Sequence, residues 1–399
     1  AIAKAEKQLN TYRSQLKQAE NGIKETEAQL ELLTEELEST NRAIDNFDAN
    51  QMSKQLKEVG ENLQSTGDKF SAFGDKANSL GNSLIALSAP IVAFSGYAVK
   101  AGIDFEESMA KTGALAGVTG KEFEKLSDTA KEMGSSIAGA SAKDVADRFG
   151  YLALAGYDVN QMLSAIEPNV KASIAWGTDM ATNADLVTDS LSSLGLKAED
   201  TTRYLDTLTQ AQNNSNSSGQ QLLEAYVTVG GMFKSFNTPL EESTALLGVL
   251  ANRGIKGAEA GNSLNSVLIN LMGTSSTTSS AMKQLGVSAY DSEGNFRGVE
   301  TVLKEVGQSM KGMTSEQEDM LSAMLGGKTQ IDTLKALLSG LEEEYDSLKG
   351  TLYQSRGALE TMYETMSNTT AGKIETFKSS IEGLGLQLAD HLLPHITNL

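Results

Sequence analysis

The stretch LANRGIKGAEAGNSLNSVLINL, residues Leu250–Leu271, predicts a helix end, a tight glycine turn and a second helix packed closely behind it. Gly254 and Gly257 stand where a chain that leaves a helix adopts a positive φ or approaches another backbone. Gly261 lies on the same face of the second helix as Leu264, Leu268 and Leu271. Because glycine has no side chain, another helix can approach closely there. These residues turn and pack the chain, and none of them supplies catalytic chemistry.

Composition predicts an all-α fold. The chain has 399 residues, 40% of them hydrophobic, which is enough for a sizeable core and for two or three domains. Only four prolines interrupt a sequence rich in Ala, Leu, Glu, Lys, Gln and Met, which favour helices. Because aromatic residues make up only 6%, we expect helices that pack through small residues, with at most one small β-hairpin.

Charge and cysteine content narrow the function classes. The formal net charge of −19 argues against nucleic-acid binding through Lys and Arg, and against adsorption to an anionic membrane. Cysteine is absent, so neither a disulfide nor a thiolate metal site can form, which suits assembly in a cytoplasm. Because the chain starts at Ala1 and ends shortly after Pro394, we expect it to be a piece of a longer polypeptide.

A heptad repeat runs through residues 1–50 and predicts a coiled coil, since charged residues cover its outer face. The a positions are Ile2, Leu9, Leu16, Ile23, Leu30, Leu37 and Ile44. Their mixture of Leu and Ile does not choose among dimer, trimer and hexamer.

A second heptad pattern, from Leu56 to Leu87, lies in residues 51–102. Two arrangements of the two repeats stay open, an antiparallel hairpin about residues 45–50 and a parallel bundle of several chains. The uncharged stretch 77–99 is long enough to span a bilayer. Its polar residues and Pro90 favour buried helices at the joint between a rod and a globular domain, and a membrane-contacting segment is the alternative.

The middle of the chain, residues 103–325, is predicted to be a compact helical domain of short helices. Thr119 and Thr314 each begin a predicted capping box, and Gly134 is predicted to stop a helix. The stretch VSAYDSEGNF, residues 287–296, is the hairpin candidate.

A third apolar repeat follows in residues 326–399 and predicts C-terminal coiled-coil helices. It includes Leu334, Leu341 and Leu348, and Ser355 is its one polar lapse. The predicted domains are a coiled-coil segment (1–50), a second heptad helix with an apolar joint (51–102), a helical core domain (103–325) and C-terminal coiled-coil helices (326–399).

Two short motifs resemble binding loops. LGGKT, residues 325–329, lacks the first glycine of a phosphate-binding loop because Ser322 occupies that position, and a helix-to-helix turn is predicted instead. GIKG, residues 254–257, matches a nucleotide-clamping loop, but no strands flank it. We expect the neighbouring Arg253 and Lys256 to face solvent or to cap the helix end.

The two histidines, His391 and His395, are spaced i,i+4, which would suit a metal site on a helix. Pro394 between them is expected to break the helix, and no carboxylate accompanies them as in a metalloprotease. No carboxylate pair stands out as a general acid and base, and Trp176 is expected to be a packing residue. We therefore predict no catalytic residue, no cofactor and no metal site.

The Leu250–Leu271 stretch resembles the central signature of the TP901-type core domain of phage tail tape measure proteins, a family of phages and phage-tail-like bacteriocins. Further similar stretches, in the same order and spacing, are FEESMAKTGALAGVT (105–119), LALAG (152–156), ADLVTDSLSSLGL (184–196), RYLDTLTQA (203–211) and LGVSAYDSEGNFRG (285–298). The resemblance covers somewhat more than half of the chain. It implies packing roles for Gly254, Gly257, Ala260, Gly261 and Leu264 at a close helix crossing, and for Ala155 and Gly156 at a helix end.

The resemblance implies a mechanical function without catalysis. Family members are extended helical oligomers that fix tail length, template the polymerisation of the tail-tube protein, contact tail-tip or baseplate hub proteins and leave the tube ahead of the DNA. It further implies an elongated homo-oligomer, for which we expect a trimer in preference to a hexamer, and tail-assembly chaperones as partners. The uncharged stretch 77–99 adds contact with the host membrane at ejection as the minority hypothesis, and the acidic net charge predicts no sequence-specific nucleic-acid partner. The expected location is the tail lumen and tip, after assembly in the bacterial cytoplasm.

Two alternative functions stay open from the sequence. The first is a membrane-interacting coiled-coil component of a tail-like injection machine, which would bind liposomes. The second is a non-catalytic segment of a tail-associated cell-wall hydrolase.

Overall fold

The structure, a computed structural model, describes residues 99–273, 275–327 and 329–396. These residues form sixteen α-helices. In chain order they are α1 (99–116), α2 (Lys121–Ser136), α3 (Ala142–Leu154), α4 (Val159–Trp176), α5 (Met180–Leu194), α6 (Thr201–Asn214), α7 (Gly219–Ser235), α8 (Leu240–Asn252), α9 (Gly257–Leu271), α10 (Ser276–Leu285), α11 (Val299–Met310), α12 (Ser315–Gly326), α13 (Ile331–Glu343), α14 (Tyr345–Leu352), α15 (Ala358–Ser367) and α16 (Thr370–Ile396). These residues form no strand, and the hairpin candidate amounts to one antiparallel bridge between Tyr290 and Phe296. The all-α prediction is confirmed.

Most of the helix ends lie where the local sequence predicts them. Thr314 is confirmed as the N-cap of α12, where its hydroxyl accepts from the amide of Gln317. The capping box predicted at Thr119 is wrong, because Gly120, with φ +59°, occupies the cap of α2. Gly195 ends α5 in the left-handed conformation.

Gly134 does not stop a helix, so that prediction is also wrong. The residue lies inside α2, and a Cβ built on it would come 2.2 Å from the backbone nitrogen of Ala142 at the start of α3. A glycine weakens a helix interior by about 1 kcal/mol. Here it permits α2 and α3 to pack with their backbones nearly in contact.

Two apolar clusters hold the helices together. The N-terminal cluster is built mainly by α1 to α4, with Phe149 and Ile166 among its fully buried members and Leu386 contributed by α16. The central cluster is larger and joins the helices from the end of α4 to α15, around Tyr204. Tyr363 on α15 is half-buried and packs against both clusters.

A charged side chain lies inside the N-terminal cluster. Arg148, only 1% exposed, donates from Nη1 to Asn169 Oδ1 at 3.1 Å and from Nη2 to Ser173 Oγ at 2.5 Å. Removal from water lowers the pKa of Arg148 to about 10, and the negative charges of Asp144 and Asp179 oppose that change. These hydrogen bonds connect α3 to α4.

The third apolar repeat is divided among α13, α14 and α15 rather than forming one continuous rod. Glu344 leaves the helical conformation, with φ −138° and ψ −20°, and residues 353–357 separate α14 from α15. Leu334, Leu341 and Leu348 are buried in the central cluster. Leucines with coiled-coil spacing thus serve as interior residues of the domain.

A buried carboxylate holds α15 in place. Asp206 of α6, 5% exposed, accepts from the backbone nitrogen of Gly357 at 2.9 Å and from that of Leu359 at 3.0 Å. The hydroxyls of Thr207 and Ser355 lie 3.2 Å apart beside it. Asp206 therefore caps the N-terminus of α15 from a distant part of the chain, and its charge is favourable there.

The break predicted at Pro394 is wrong, because α16 continues to Ile396. A proline removes one helical hydrogen bond and crowds the preceding turn. The side chains of His391 and His395 lie outside the described residues.

The predictions for residues 1–98 also lie outside the described residues. They comprise the seam positions Leu9, Leu16, Ile23, Leu30, Leu37 and Ile44, the second repeat, and nearly all of the stretch 77–99. Within the part that the structure describes, no helix has the length and apolar character that crossing a bilayer requires.

Candidate functional site

The signature stretch forms the end of α8, a glycine turn and α9. The amides of Gly254 and Ile255 donate to the carbonyls of Ala251 and Leu250, each at 3.0 Å, and so close the turn. Gly254 has φ +88° and Gly257 has φ +59°, which residues with a side chain rarely adopt. The turn sends α9 back against the helices that precede it.

Gly261 brings α9 against α7 with almost no separation between the backbones. A Cβ built on Gly261 would lie 1.9 Å from Thr228 Oγ1 and 2.3 Å from the carbonyl oxygen of Ala225. Ala260 and Leu264, on either side of it, are buried. No side chain fits at position 261 unless the two helices move apart.

Another face of α7 makes a second close crossing, with α5. A Cβ on Gly230 would lie 2.1 Å from Ser193 Oγ and 3.3 Å from the amide nitrogen of Leu194. Ser193 Oγ also donates to the carbonyl of Tyr226 at 2.7 Å. Helix α7 is therefore held between α5 and α9. The sequence reasoning missed this second crossing, although the pair Gly230 and Gly231 inside a helical stretch is a signal for it.

Buried hydroxyls fix the position of α7 against α8. Tyr226 is fully buried, and its hydroxyl lies 2.8 Å from Ser243 Oγ and 2.6 Å from Thr244 Oγ1. Its ring packs edge-on against Tyr204, with centroids 5.8 Å apart. Burial raises the pKa of Tyr226 well above its usual value, so the phenol stays protonated and can donate.

Replacing Tyr226 with phenylalanine is expected to lower the free energy of unfolding by about 1–2 kcal/mol, because two buried hydroxyls lose a partner. Urea denaturation of the purified chain measures the change. Tyr353→Phe is the control, since Tyr353 is 57% exposed and should lose little. Equal stability of the two variants would contradict the assignment.

Arg253 ties the signature turn to α13. Its guanidinium pairs with the carboxylates of Glu343, at 3.0 Å, and of Glu344, and it lies 3.2 Å from Ser339 Oγ. It also donates to the carbonyl of Val249 at 3.3 Å. Of the two roles expected for Arg253, facing solvent or capping the helix end, this bond fits the cap of α8. The ion pairs were not expected from the sequence.

The other residues that the sequence analysis singled out end helices or pack against them. Ala155 forms the C-cap of α3, and Gly156 follows it with φ +82°. Trp176 packs its indole over Gly219 at the start of α7 and donates from Nε1 to Thr209 Oγ1 at 3.1 Å. Of the LGGKT motif, Leu325 and Gly326 end α12 and Gly327 is its C-cap, and α13 begins at Ile331, so the described residues of the motif lie at a helix-to-helix connection, as predicted.

The surface has clefts that are lined by both polar and apolar side chains. Three of them have volumes of about 410 to 510 Å³. One of them lies along α1 and α3 and is lined by Leu115 and Leu154 together with Asp104 and Lys111. Among the described residues, no group of three or more His, Asp or Glu side chains is placed to hold a metal ion.

The described helices form an all-α domain in which Gly261 and Gly230 allow two close helix crossings. Comparison with known proteins identifies the family of this domain. A family model described as "Phage-related minor tail protein" matches residues 127–327, half of the chain and most of this domain. The chain belongs to that family, and it is a structural component of a phage tail.

The curated relatives agree with the family. The chain is 28% identical to the tape measure protein of Pneumococcus phage Dp-1 over 306 residues, which are 77% of this chain and 26% of the relative. It is 26% identical to a probable tape measure protein of Escherichia phage P2, over 72% of this chain and 36% of the relative. A probable tape measure protein of Clostridium phage phiCD119 is 24% identical over 75% of this chain. The chain spans a quarter to about a third of the length of these relatives. No solved structure matches it.

Proposed function

We propose that this chain is part of a tape measure that sets tail length, templates polymerisation of the tail-tube protein and is released when DNA leaves the tail. The observation that carries the proposal is similarity to three proteins named as tape measures over 72–77% of the chain. The proposed location is the tail lumen and tip, after assembly in the host cytoplasm. The proposed state is a homo-oligomer, with a trimer favoured over a hexamer.

The heptad segment is the part of the chain suited to measuring length. An α-helix advances ~1.5 Å per residue, so residue number translates directly into distance along a tube. The regular a positions from Ile2 to Ile44 provide such a seam. The −19 net charge suits a filling that must leave before DNA passes, because it does not bind the acidic nucleic acid.

The helical domain is suited to docking rather than to measuring. Its crossings at Gly261 and Gly230 fix the relative positions of three helices, so its surface keeps a defined shape. We propose that this surface contacts tail-tip or baseplate hub proteins and, during assembly, the tail chaperones. We further propose that the segment is not catalytic; release of soluble peptidoglycan fragments by the purified chain would contradict this.

Deletion of residues 9–43 from the full-length gene, which removes five heptads and keeps the phase, is expected to shorten the tail by about 50 Å. Electron microscopy of the particles measures the length. The matched control duplicates the same residues and should lengthen the tail by the same amount. Tails of unchanged length in both variants would contradict a measuring role for this segment.

A further inference from the structure

Helices α1 and α3 lie side by side and run in the same direction. Thr112 Oγ1 of α1 donates to the carbonyl of Ala146 of α3 at 2.7 Å. One turn further along α3, a Cβ on Gly150 would come 3.2 Å from Thr112 Oγ1 and 3.7 Å from Leu115 Cδ1. As residue numbers rise along α1 they also rise along α3, which defines the parallel direction.

A groove, here named the α1–α3 groove, runs along the line where the two helices meet. Residues between 104 and 115 of α1 and between 143 and 154 of α3 line it, and the N-terminus of α5 borders it. Eleven residues of helix rise about 16 Å, or three turns. Ser108, Thr112 and Gly150, which are small, lie between its two ends. A partner helix of three turns or more can pack along such a groove.

One end of the α1–α3 groove is apolar and open to water. Leu154, the last residue of α3, is 67% exposed, and Leu115 near the end of α1 is 39% exposed. Tyr151, half-buried, lines the groove with them and lies on the same face of α3 as Leu154. Single exposed leucines are ordinary, whereas three large side chains that share one groove form a patch that a partner can cover.

The other end of the α1–α3 groove is acidic. Asp104 of α1 and Asp144 and Asp147 of α3 line it. Lys143 pairs with Asp147 at 2.5 Å, and Lys100 pairs with Asp104 at 3.4 Å in an exposed bridge that contributes little. The other charged residues that line the groove balance one another, and they are Glu107, Asp179, Lys111 and the buried Arg148. The net negative charge of the groove therefore comes from this end.

Neighbouring groups respond to this negative charge. The pKa of Lys143 is raised, first by its hydrogen bond to Asp147. The charges of Asp144 and Asp104 act on that pKa in the same direction. Burial, followed by the charge of Asp144, raises the pKa of Glu382, which lies near this end on α16. An ammonium or guanidinium group of a partner is therefore favoured here, and a further carboxylate is repelled.

We propose that the α1–α3 groove binds a helix of another tail protein, with large apolar side chains at one end and Lys or Arg about three turns away. The site rests on the docking role proposed for the helical domain, and it gives that role a place and a partner chemistry. A second copy of this chain fits the groove poorly, because it brings a net charge of −19 to an acidic surface.

Selection from a displayed library of helical peptides tests the α1–α3 groove on the intact 399-residue chain. Each peptide has about 18 residues, or five turns, with one face randomised and the other kept constant and neutral. We expect the enriched peptides to share large apolar residues at one end and Lys or Arg about three turns away. No enrichment, or enriched peptides without this arrangement of charge, overturns the proposal.

Substitutions in the groove locate the binding. Leu154→Glu is expected to weaken the affinity of an enriched peptide by about tenfold or more, because it removes an apolar anchor. Met320→Glu is the matched control, since Met320 is 51% exposed on α12, outside the groove, and the affinity should not change. Equal affinities of the two variants place the binding elsewhere and overturn the proposal.

Reversing the charge of the acidic end tests the choice of partner. The selection is repeated on a chain with both Asp104→Lys and Asp147→Lys, whose side chains are 39% and 36% exposed, so the fold should tolerate the change. We expect the newly enriched peptides to carry Asp or Glu in place of Lys or Arg. An unchanged preference for cations contradicts the proposed recognition.

Sedimentation of the unmodified chain and of Leu154→Glu tests the competing occupant. We expect the same oligomeric state for both. An oligomer that dissociates only in the variant shows a second copy in the groove, and this result overturns the proposal. Failure of any of these tests would leave the tail length after the heptad deletion unaffected, so the site and the measuring function fail independently.

Discussion

Replacing Gly261 with leucine is expected to lower the free energy of unfolding by ~1–3 kcal/mol, and even alanine should destabilise. The first added carbon already lies within 2.3 Å of the Ala225 carbonyl oxygen, which belongs to the backbone of α7 and cannot rotate away. Helices α7 and α9 must therefore separate. Urea denaturation monitored by far-ultraviolet circular dichroism measures the change.

The matched control is Gly231→Ala, on α7 itself. Gly231 has open space where a Cβ would go, so alanine there should raise stability by roughly 0.5–1 kcal/mol through its better helix propensity. The same chemical substitution thus has opposite signs at positions 261 and 231. A stabilising effect of Gly261→Ala would show that the close crossing does not exist in solution.

Replacing Asp206 with alanine is expected to cost about 2–4 kcal/mol, because two buried backbone N–H groups at the start of α15 lose a charged acceptor. Gly357 and Leu359 supply those groups. The loss is greater than for an exposed cap because Asp206 is only 5% exposed, and a buried N–H group left without its acceptor has lost its contact with water as well. Urea denaturation again gives the magnitude.

A local measurement distinguishes undocking of α15 from general destabilisation. Arg356 is exposed beside the capped turn, so trypsin should cut there faster in the Asp206→Ala variant. Asp179→Ala is the control, since Asp179 is an exposed N-cap that accepts from Thr182 within its own helix and should cost clearly less than the loss of Asp206. Equal costs for the two substitutions would contradict a tertiary role for Asp206.

The signature turn shows how far local sequence determines structure. Positive φ at Gly254 and Gly257 follows from residue type, because glycine alone adopts such conformations without strain. Helix starts such as the one at Thr314 depend on atoms three residues apart, which a sequence displays directly. The same reasoning failed at Gly134, since a glycine that ends a helix and a glycine that admits a neighbour look identical in sequence.

The third apolar repeat shows the opposite limit. A spacing of three and four residues records which face of a helix is apolar, and it does not record what covers that face. The repeat predicted a rod, whereas α13, α14 and α15 turn their leucines into the central cluster. Glu344, where the helix breaks, carries no glycine or proline signal.

Sequence by itself determined the all-α fold, most helix ends, the glycine turn and the resemblance to tail tape measures, because each depends on residue type over short spacings. Tertiary structure alone decided the partners: α7 held between α5 and α9, Arg253 paired with α13, Asp206 capping a helix 151 residues away, and α16 laid along α2. Those contacts join residues far apart in the chain, and no local pattern encodes which surfaces meet.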